Sequence, residues 1–337
     1  MGSDWKKVLK ADPINWLSGK DNPSVQYFTL TEILGKSERN RDVQCAKRSI
    51  MKRGTVPKIL ALQQADGGWV PKACFYQLKF RGTVWQLIIL AEFGADPKHR
   101  KVKKACDYLF ENSWSPASGG FAYRIAKPGQ TNEVYVSPCL TGKMTYSLIR
   151  LGWLDDKRVQ RAIEWIATWM RYDDGDSEPP ASHPYKRSVG CYGRHTCFRN
   201  IIFGLKALAE IPVKQRSAKV KRCIKRGAEF MLLHRVYRSS HNPKRIGRAG
   251  WSCFGFPLMD DALEILRILT KLGYRDPRMQ QAIDLVVSKQ SKQGRWNLDR
   301  TFNGRMQLDI ETKHKPSKWI TLNALRVLKR YYNHSGL

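Results

Sequence analysis

Apolar residues recur along this chain with helical spacing, and they do so in a repeated phrase. An apolar helix ends in Leu-Gly or Phe-Gly, a short Asp-containing turn follows, and a second helix rich in Lys, Arg and Ala begins. The phrase stands at Leu34-Gly35, Phe93-Gly94, Leu151-Gly152 and Leu272-Gly273. The first steps are roughly 60 residues and the last roughly twice that, which leaves room for a degenerate repeat at Phe198–Glu210, where Ile211-Pro212 replaces the glycine turn. The turn reads Gly94-Ala-Asp96-Pro-Lys-His-Arg, then Gly152-Trp-Leu-Asp155-Asp-Lys-Arg, then Gly273-Tyr-Arg-Asp276-Pro-Arg. Glycine supplies the left-handed residue that ends one helix. The aspartate accepts from free N–H groups as the N-cap of the next. Pro97 and Pro277 fall at the first helical position, where a missing donor costs nothing. Small residues follow at Ala105, Ala162 and Ala282, suited to close helix contact.

These signals predict helical hairpins. The first covers Ser24–Arg53, and the second pairs Gly82–Phe93 with Pro97–Asn112. Leu140–Leu151 then pairs with Asp156–Tyr172, Phe198–Glu210 with Ser217–Leu233, and Asp260–Leu272 with Pro277–Gln290; Ser317–Tyr332 opens a sixth. Strand-like alternation is essentially absent, so the fold class is all-α. Residues 1–23 read as an N-terminal cap and 24–337 as a single repeat domain. Long loops rich in Gly, Trp, Tyr and Pro precede the same helix of each hairpin: Gln63–Arg81, Ser113–Pro138, Tyr172–Arg194, His234–Pro257 and Gln293–Pro316. In a closed ring of hairpins they gather on one face.

Composition changes the picture in one respect. With 42% hydrophobic residues the chain can build a full core. No apolar run approaches the length of a membrane span. The start, MGSDWKKVLKADPINW, lacks an apolar signal region, so the expected location is cytoplasmic. Eight scattered cysteines read as reduced thiols, some core and some candidate ligands. The charge is unusual: 60 Lys and Arg against 29 acidic residues, a formal +31. Such an excess repels itself and is relieved by an anionic partner: nucleic acid, an anionic membrane surface or a phosphorylated substrate. The basic residues are spread along nearly every helix, so a general solubility bias accounts for them as well.

Two loops carry a Gln-x-x-x-Gly-x-Trp pattern, Gln63-Gln-Ala-Asp-Gly67-Gly-Trp69 and Gln290-Ser-Lys-Gln-Gly294-Arg-Trp296; Gly119-Gly-Phe121 is a weaker version. Gly permits a sharp turn, Trp packs across to a neighbouring outer helix, and Gln can bond free backbone groups at the helix end. The pattern resembles the QW-type motifs of squalene-cyclase-like and protein-prenyltransferase β-like proteins, over about residues 24–332. That resemblance implies an α/α toroid of about five to six hairpins, with inner helices lining a cavity and outer helices wrapping it. It implies a protein that takes an isoprenoid or similar apolar ligand with an anionic head, as a metal-assisted transferase or cyclase; since isoprenoid substrates live in membranes, the expected cytoplasmic location extends to peripheral contact with a membrane. The alternative is a non-catalytic basic helical scaffold that binds nucleic acid or an anionic membrane surface.

The catalytic signatures of those families select particular residues. Class II terpene cyclases protonate an alkene with Asp-x-Asp-Asp; this chain has Pro257-Leu-Met-Asp260-Asp261-Ala, without the first Asp. Class I enzymes hold Mg²⁺ on Asp-Asp-x-x-Asp or Glu, and Asp260-Asp261-Ala-Leu-Glu264 fits as written. Acidic residues in a first helical turn also simply favour the dipole. Protein prenyltransferases bind Zn²⁺, with a histidine in a His-Thr-Cys-Tyr-like segment; His195-Thr-Cys197-Phe resembles it, while Gly190-Cys191-Tyr192 keeps a second motif without its Asp. The zinc candidates are therefore Cys139, Cys191, His195 and Cys197, against the plainer reading of small buried thiols. Arg194, Arg81 and Lys143 are the candidate anion clamps, with Lys318 beside them, or else surface charges. Trp85, Tyr123, Tyr135, Tyr146, Tyr192, Trp251 and Trp319 would line an isoprenoid cavity or a core equally well. For catalysis, His195 or Asp261 would carry the proton, with Asp260 beside it.

Overall fold

The computed structural model describes residues 4–127, 129–175, 177–182, 184–185, 191, 193–248 and 250–333. Among these residues the chain is helical throughout, and its only β features are isolated bridges in the loops. We number the α-helices in chain order: α1 (Ile14–Leu17), α2 (Pro23–Phe28), α3 (Arg41–Ile50), α4 (Thr55–Ala61), α5 (Thr83–Glu92), α6 (Arg100–Asn112) and α7 (Pro138–Arg150). They continue as α8 (Lys157–Trp169), α9 (Phe198–Leu208), α10 (Ala218–Leu233), α11 (Ala262–Lys271), α12 (Gln280–Ser288) and α13 (Lys318–Tyr332). The chain divides into two compact units: residues 1–58, 231–304 and 308–337 form the first, and 59–230 with 305–307 the second.

Within the second unit α5, α7 and α9 pack as a row, with α6 against α5 and α8 against α7 and α9. The first unit repeats the plan: α2, α13 and α11 form a row, with α3 on α2 and α12 on α11. Sequence explains which helix goes where. Every residue of α5 is buried, and so is α13 from Lys318 to Leu328. A helix apolar on all sides must be covered on all sides. In α8 only Val159, Ala162, Ile163, Trp165 and Ile166 are buried, a single stripe on an otherwise charged helix. The Lys- and Arg-rich second helix of each hairpin is therefore the outer one.

The glycine stops behave as their sequence requires. Gly35, Gly94, Gly152 and Gly273 have φ of 67°, 72°, 84° and 90°. Each is followed by a residue whose N–H reaches back to the preceding turn, as in Ala95 to Leu90 O (3.0 Å) and Trp153 to Leu148 O (2.9 Å). The caps are shifted slightly from expectation. Asp156, not Asp155, caps α8, accepting from Arg158 N–H at 2.8 Å. Asp96 accepts from Lys98 N–H at 2.9 Å in the turn ahead of α6, which begins at Arg100, so Pro97 lies in that turn. Asp276 and Pro277 likewise open a 3₁₀ turn before α12.

The Gln/Gly/Trp loops fasten one hairpin to the next. Trp69 donates its indole N–H back to Ile59 O in its own α4 at 2.8 Å, while its backbone N–H donates to Thr83 Oγ1 at the head of α5 (3.1 Å). Gln63 is the residue that reaches the neighbouring outer helix, donating to Lys101 O at 2.9 Å. The other loop copies this: the Trp296 indole donates to Val286 O (2.6 Å) and its backbone N–H to Thr321 Oγ1 (3.0 Å). Phe121 keeps the backbone bond, to Thr141 Oγ1 at 3.0 Å, and lacks the indole. Trp296 is fully buried, so Trp296→Phe orphans the Val286 carbonyl. The expected loss is about 1–3 kcal/mol of unfolding free energy by urea titration.

Helices α7 and α9 approach more closely than any side chain allows. A Cβ on Gly142 would lie 2.7–2.8 Å from backbone atoms of Phe203 and Gly204. Gly142→Ala is expected to destabilise by about 1–3 kcal/mol through overpacking, despite a gain of about 1 kcal/mol in helix propensity. Gly204→Ala is the control: its Cβ would meet the Met170 thioether methyl, a flexible side-chain end. Urea melts that rank Gly204→Ala below Gly142→Ala would contradict this packing.

Candidate functional site

The heads of α5, α7 and α9, side by side in the second unit, carry part of the expected chemistry. Tyr76 stacks on Trp85 (5.7 Å between centroids, 29°), and Tyr123 meets Tyr76 at 6.0 Å and Tyr135 at 5.8 Å. Phe80 adds a tilted contact with Trp85 at 5.4 Å. Three of these rings, Tyr76, Tyr123 and Tyr135, are only half-buried, so their faces are not used up by the core. Cations sit on the cluster. Lys143 Nζ lies 4.6 Å from the centre of Trp85 and 4.3 Å from that of Phe203; Arg305 covers Phe80 and Arg124 covers Tyr135. Such placements use the negative face of the ring.

Three cysteines meet beside the aromatic cluster. Cys139 is the second residue of α7, Cys197 is the residue before α9, and Cys191 is joined to Cys197 by the bond from Cys197 N–H to Cys191 O at 3.1 Å. The Cys139 sulfur hydrogen bonds to both of the others, and this, with burial, pushes its thiol well above the ordinary range. Cys191 is drawn down by the bond from Cys139, but its donation to Cys197, burial and the charge there carry it up to about 11. Cys197 accepts from both thiols and is held far below the usual thiol range. No capping hydrogen bond forms to its side chain, yet the N–H groups of Arg199 and Asn200 at the head of α9 favour its charged form. The Tyr76 hydroxyl is pushed up by its burial and by Cys139 and Cys191, with Arg199 opposing.

The other candidates lie elsewhere. His195 is 63% exposed, with Nδ1 3.7 Å from Asp174 Oδ1 and its ring over Gly175. Arg194, 66% exposed, donates to Gly175 O at 2.9 Å and lies 3.8 Å from Glu178. The segment bearing both is bridged to the acidic loop at Asp174. Arg81 is exposed, and its carbonyl accepts from Gln307 at 2.9 Å. Lys318 is committed to Asp21 at 2.6 Å. Tyr146 is buried beneath Lys206. Tyr192 lies outside the described residues.

Asp260, Asp261, Trp251 and Trp319 belong to the first unit and are all buried. Asp261 is the N-cap of α11: Oδ1 accepts from Glu264 N–H at 3.0 Å and Oδ2 from Gly255 N–H at 2.8 Å. Burial raises its pKa to about 7 against those two donors, with Glu264 and Asp260 adding to the rise. Trp319 stacks on Phe256 at 4.4 Å and 12°.

Neither expected metal fits these residues. For Mg²⁺, both Asp261 oxygens receive backbone donors, and both Glu264 oxygens receive Arg267, at 2.7 and 2.8 Å. For Zn²⁺, His195 lies against Asp174, with Nδ1 3.7 Å from Oδ1, and the expected set of Cys139, Cys191, His195 and Cys197 is not assembled. Among the described residues no group of three His, Cys, Asp or Glu side chains could hold a metal ion.

Two features escaped the sequence. Tyr76 and Phe80 stand in a loop with no helical period to mark them. Four cations, Arg275, Arg326, Lys329 and Arg330, line a 280 Å³ cavity of the first unit around Glu32. Arg326 grips that carboxylate with two bonds, at 2.9 and 2.7 Å, and Lys329 donates to the carbonyls of Glu32 and Ile33. These cations hold the end of the π-helical turn Thr29–Ile33.

No family model and no curated protein matches the chain. Among solved structures it is similar to the type II terpene cyclase MstE from Scytonema. A variant in complex with geranylgeranyl dihydroxybenzoate shares 14% identity over 94% of this chain and 97% of that one, at a TM-score of 0.33. The apo enzyme shares 15% over 94% and 98%, at 0.32, and a variant with merosterolic acid A shares 14% over 94% and 96%, at 0.33. Scores this low carry no argument about fold or activity. No helix among the described residues is long and apolar enough to cross a membrane.

Proposed function

We propose that the protein is an α/α-toroid of the terpenoid-cyclase and prenyltransferase type, and that its second unit takes an isoprenoid-like chain with an anionic head. The observation that carries this reading is the half-buried aromatic cluster at the heads of α5, α7 and α9, overlaid by cations. Ring faces suit an unsaturated hydrocarbon and any positive charge that develops along it. Lys143, with the exposed Arg199 at the head of α9, supplies the charge for the head group.

The test is a fluorescence titration with farnesyl diphosphate, farnesol and inorganic pyrophosphate. Saturable binding of the diphosphate is expected, weakened about tenfold, or roughly 1.4 kcal/mol, by Tyr76→Ala and by Lys143→Met. Equal binding by pyrophosphate alone, or no effect of Tyr76→Ala, would overturn the assignment.

A second reading rests on the outer helices. Lys221, Arg222, Lys225 and Arg226 on α10, and Arg100, Lys103 and Lys104 on α6, are exposed and unbroken by acids in those stretches. They suit a polyanion such as nucleic acid or an anionic membrane surface. Gel shifts that weaken steeply with salt would support it.

A further inference from the structure

The cavity around Glu32 lies wholly in the first unit, so its chemistry is separate from the ligand reading given for the second. Three stretches of chain build it: the π-helical turn Thr29–Ile33, the turn after α11 and the last two turns of α13. Among the described residues that line it, four are cations, Arg275, Arg326, Lys329 and Arg330, and one is a carboxylate, Glu32; four less one leaves three positive charges. Elsewhere in the unit, charges pair one to one, as Lys318 with Asp21 and Lys289 with Asp299.

Cations near a helix C-terminus serve its free carbonyls. Here that duty uses only part of the donor set. Lys329 Nζ donates to Glu32 O at 2.9 Å and to Ile33 O at 3.0 Å, and Arg275 Nε to Arg330 O at 3.1 Å. The two terminal nitrogens of Arg275 have no partner among the described residues. Arg326, 5% exposed, spends Nε and Nη2 on Glu32 and Nη1 on Asn323. A guanidinium has five N–H groups, so each terminal nitrogen of Arg326 carries one more. Arg330 shares the same carboxylate at 3.1 Å. The crowding shows at Lys329, whose ammonium loses proton affinity to burial and to Arg330, against the pull of Glu32. The cavity has a way in: a Cβ built on Gly273 would meet nothing within 4 Å. At 280 Å³ it falls just below pockets for drug-sized ligands, about 300–1,000 Å³, so it suits a small guest.

We propose that this cavity binds a phosphate group, either inorganic phosphate or the phosphate of a monoester. A phosphate at neutral pH carries close to two negative charges and offsets most of the surplus. Its oxygens match the planar forks of Arg275 and Arg326, and Lys329 adds a point charge. A carboxylate brings one charge and two oxygens, too few for this donor set. Phosphate held there joins three separate stretches of chain and stabilises the unit by mass action.

The experiment uses the full chain and inorganic phosphate itself. Isothermal titration, with ionic strength held constant by chloride, should show one saturable site. Arg275→Gln and Lys329→Met should each weaken it about tenfold. Lys52→Gln removes an exposed charge of the same unit that does not line the cavity, and should leave binding unchanged. If Lys329→Met does not fold, Arg275→Gln still decides, because that side chain is exposed. Sedimentation with vesicles of phosphatidylcholine and phosphatidic acid separates the sources of the group. Capture that Arg275→Gln weakens as much as it weakens phosphate binding assigns a lipid phosphate; capture that it leaves unchanged assigns a soluble one. Heats that never saturate, or a loss in Lys52→Gln equal to that in Arg275→Gln, would overturn the proposal. So would acetate binding as tight as phosphate.

Discussion

Lys206→Met is expected to lower the unfolding free energy by about 3–5 kcal/mol, as breaking a buried ion pair from one side does. Lys206 on α9 is bonded to Glu92 on α5, and the two side chains are 8% and 2% exposed. The ammonium also lies 4.3 Å from the centre of the Tyr146 ring on α7, so one lysine ties together all three helices of the second unit's inner row. Removing it leaves the Glu92 carboxylate in a site with almost no water. Replacing both charges, as in Glu92→Leu with Lys206→Met, should recover most of the loss, because two buried charges no longer need one another. The single variant should also improve, relative to wild type, as pH falls, because Glu92 then takes a proton and sheds its charge. Urea titrations of the four corners of this cycle give the coupling directly. Additive single and double effects would show that the pair is not the link between α5 and α9.

The pH dependence of the first unit should be dominated by Asp261. Its pKa in the folded chain is about 7, against 3.8 when unfolded, because burial penalises the charged form more than the two N–H donors help it. A carboxyl raised in this way contributes stability that is fully present below the unfolded value and is lost as pH rises through the folded one. Between pH 4 and pH 8 the unit should therefore lose up to about 4 kcal/mol from this group, at about 1.4 kcal/mol per pKa unit. Asp261→Asn keeps an oxygen for one donor and cannot ionise. It should flatten the slope between pH 4 and pH 8, while its amide faces one of the two N–H groups and lowers stability at pH 4. Urea melts at stepped pH decide the matter. A slope in Asp261→Asn equal to that of wild type would remove the carboxyl from the account.

The candidate site was legible in part, and the division follows the range of the interactions. His195, Arg194 and the cysteines at 191 and 197 stand within a few residues of one another, and short spacing suggested a shared role. In the fold the acidic loop at Asp173–Gly175 engages two of them: Asp174 meets His195, and Gly175 accepts from Arg194. Cys139 comes to Cys197 from another hairpin, through the same helix contact that needs glycine at 142. Asp260 and Asp261 showed the acidic pattern of a Mg²⁺ site. The pattern is spent on capping α11 and on Arg267.

The amino-acid sequence by itself determined the all-helical class, the hairpins, their glycine stops and aspartate caps, and which helix of each pair is outer. Stops and caps act within about one helical turn, and a stripe of apolar residues is read along one helix alone. Only the tertiary structure decided which groups meet: Glu92 with Lys206, 114 positions apart, Tyr76 with Tyr123, and one thiol with two others. Those meetings depend on how closely helix backbones cross and which loop carries the opposing charge. No local pattern encodes either quantity.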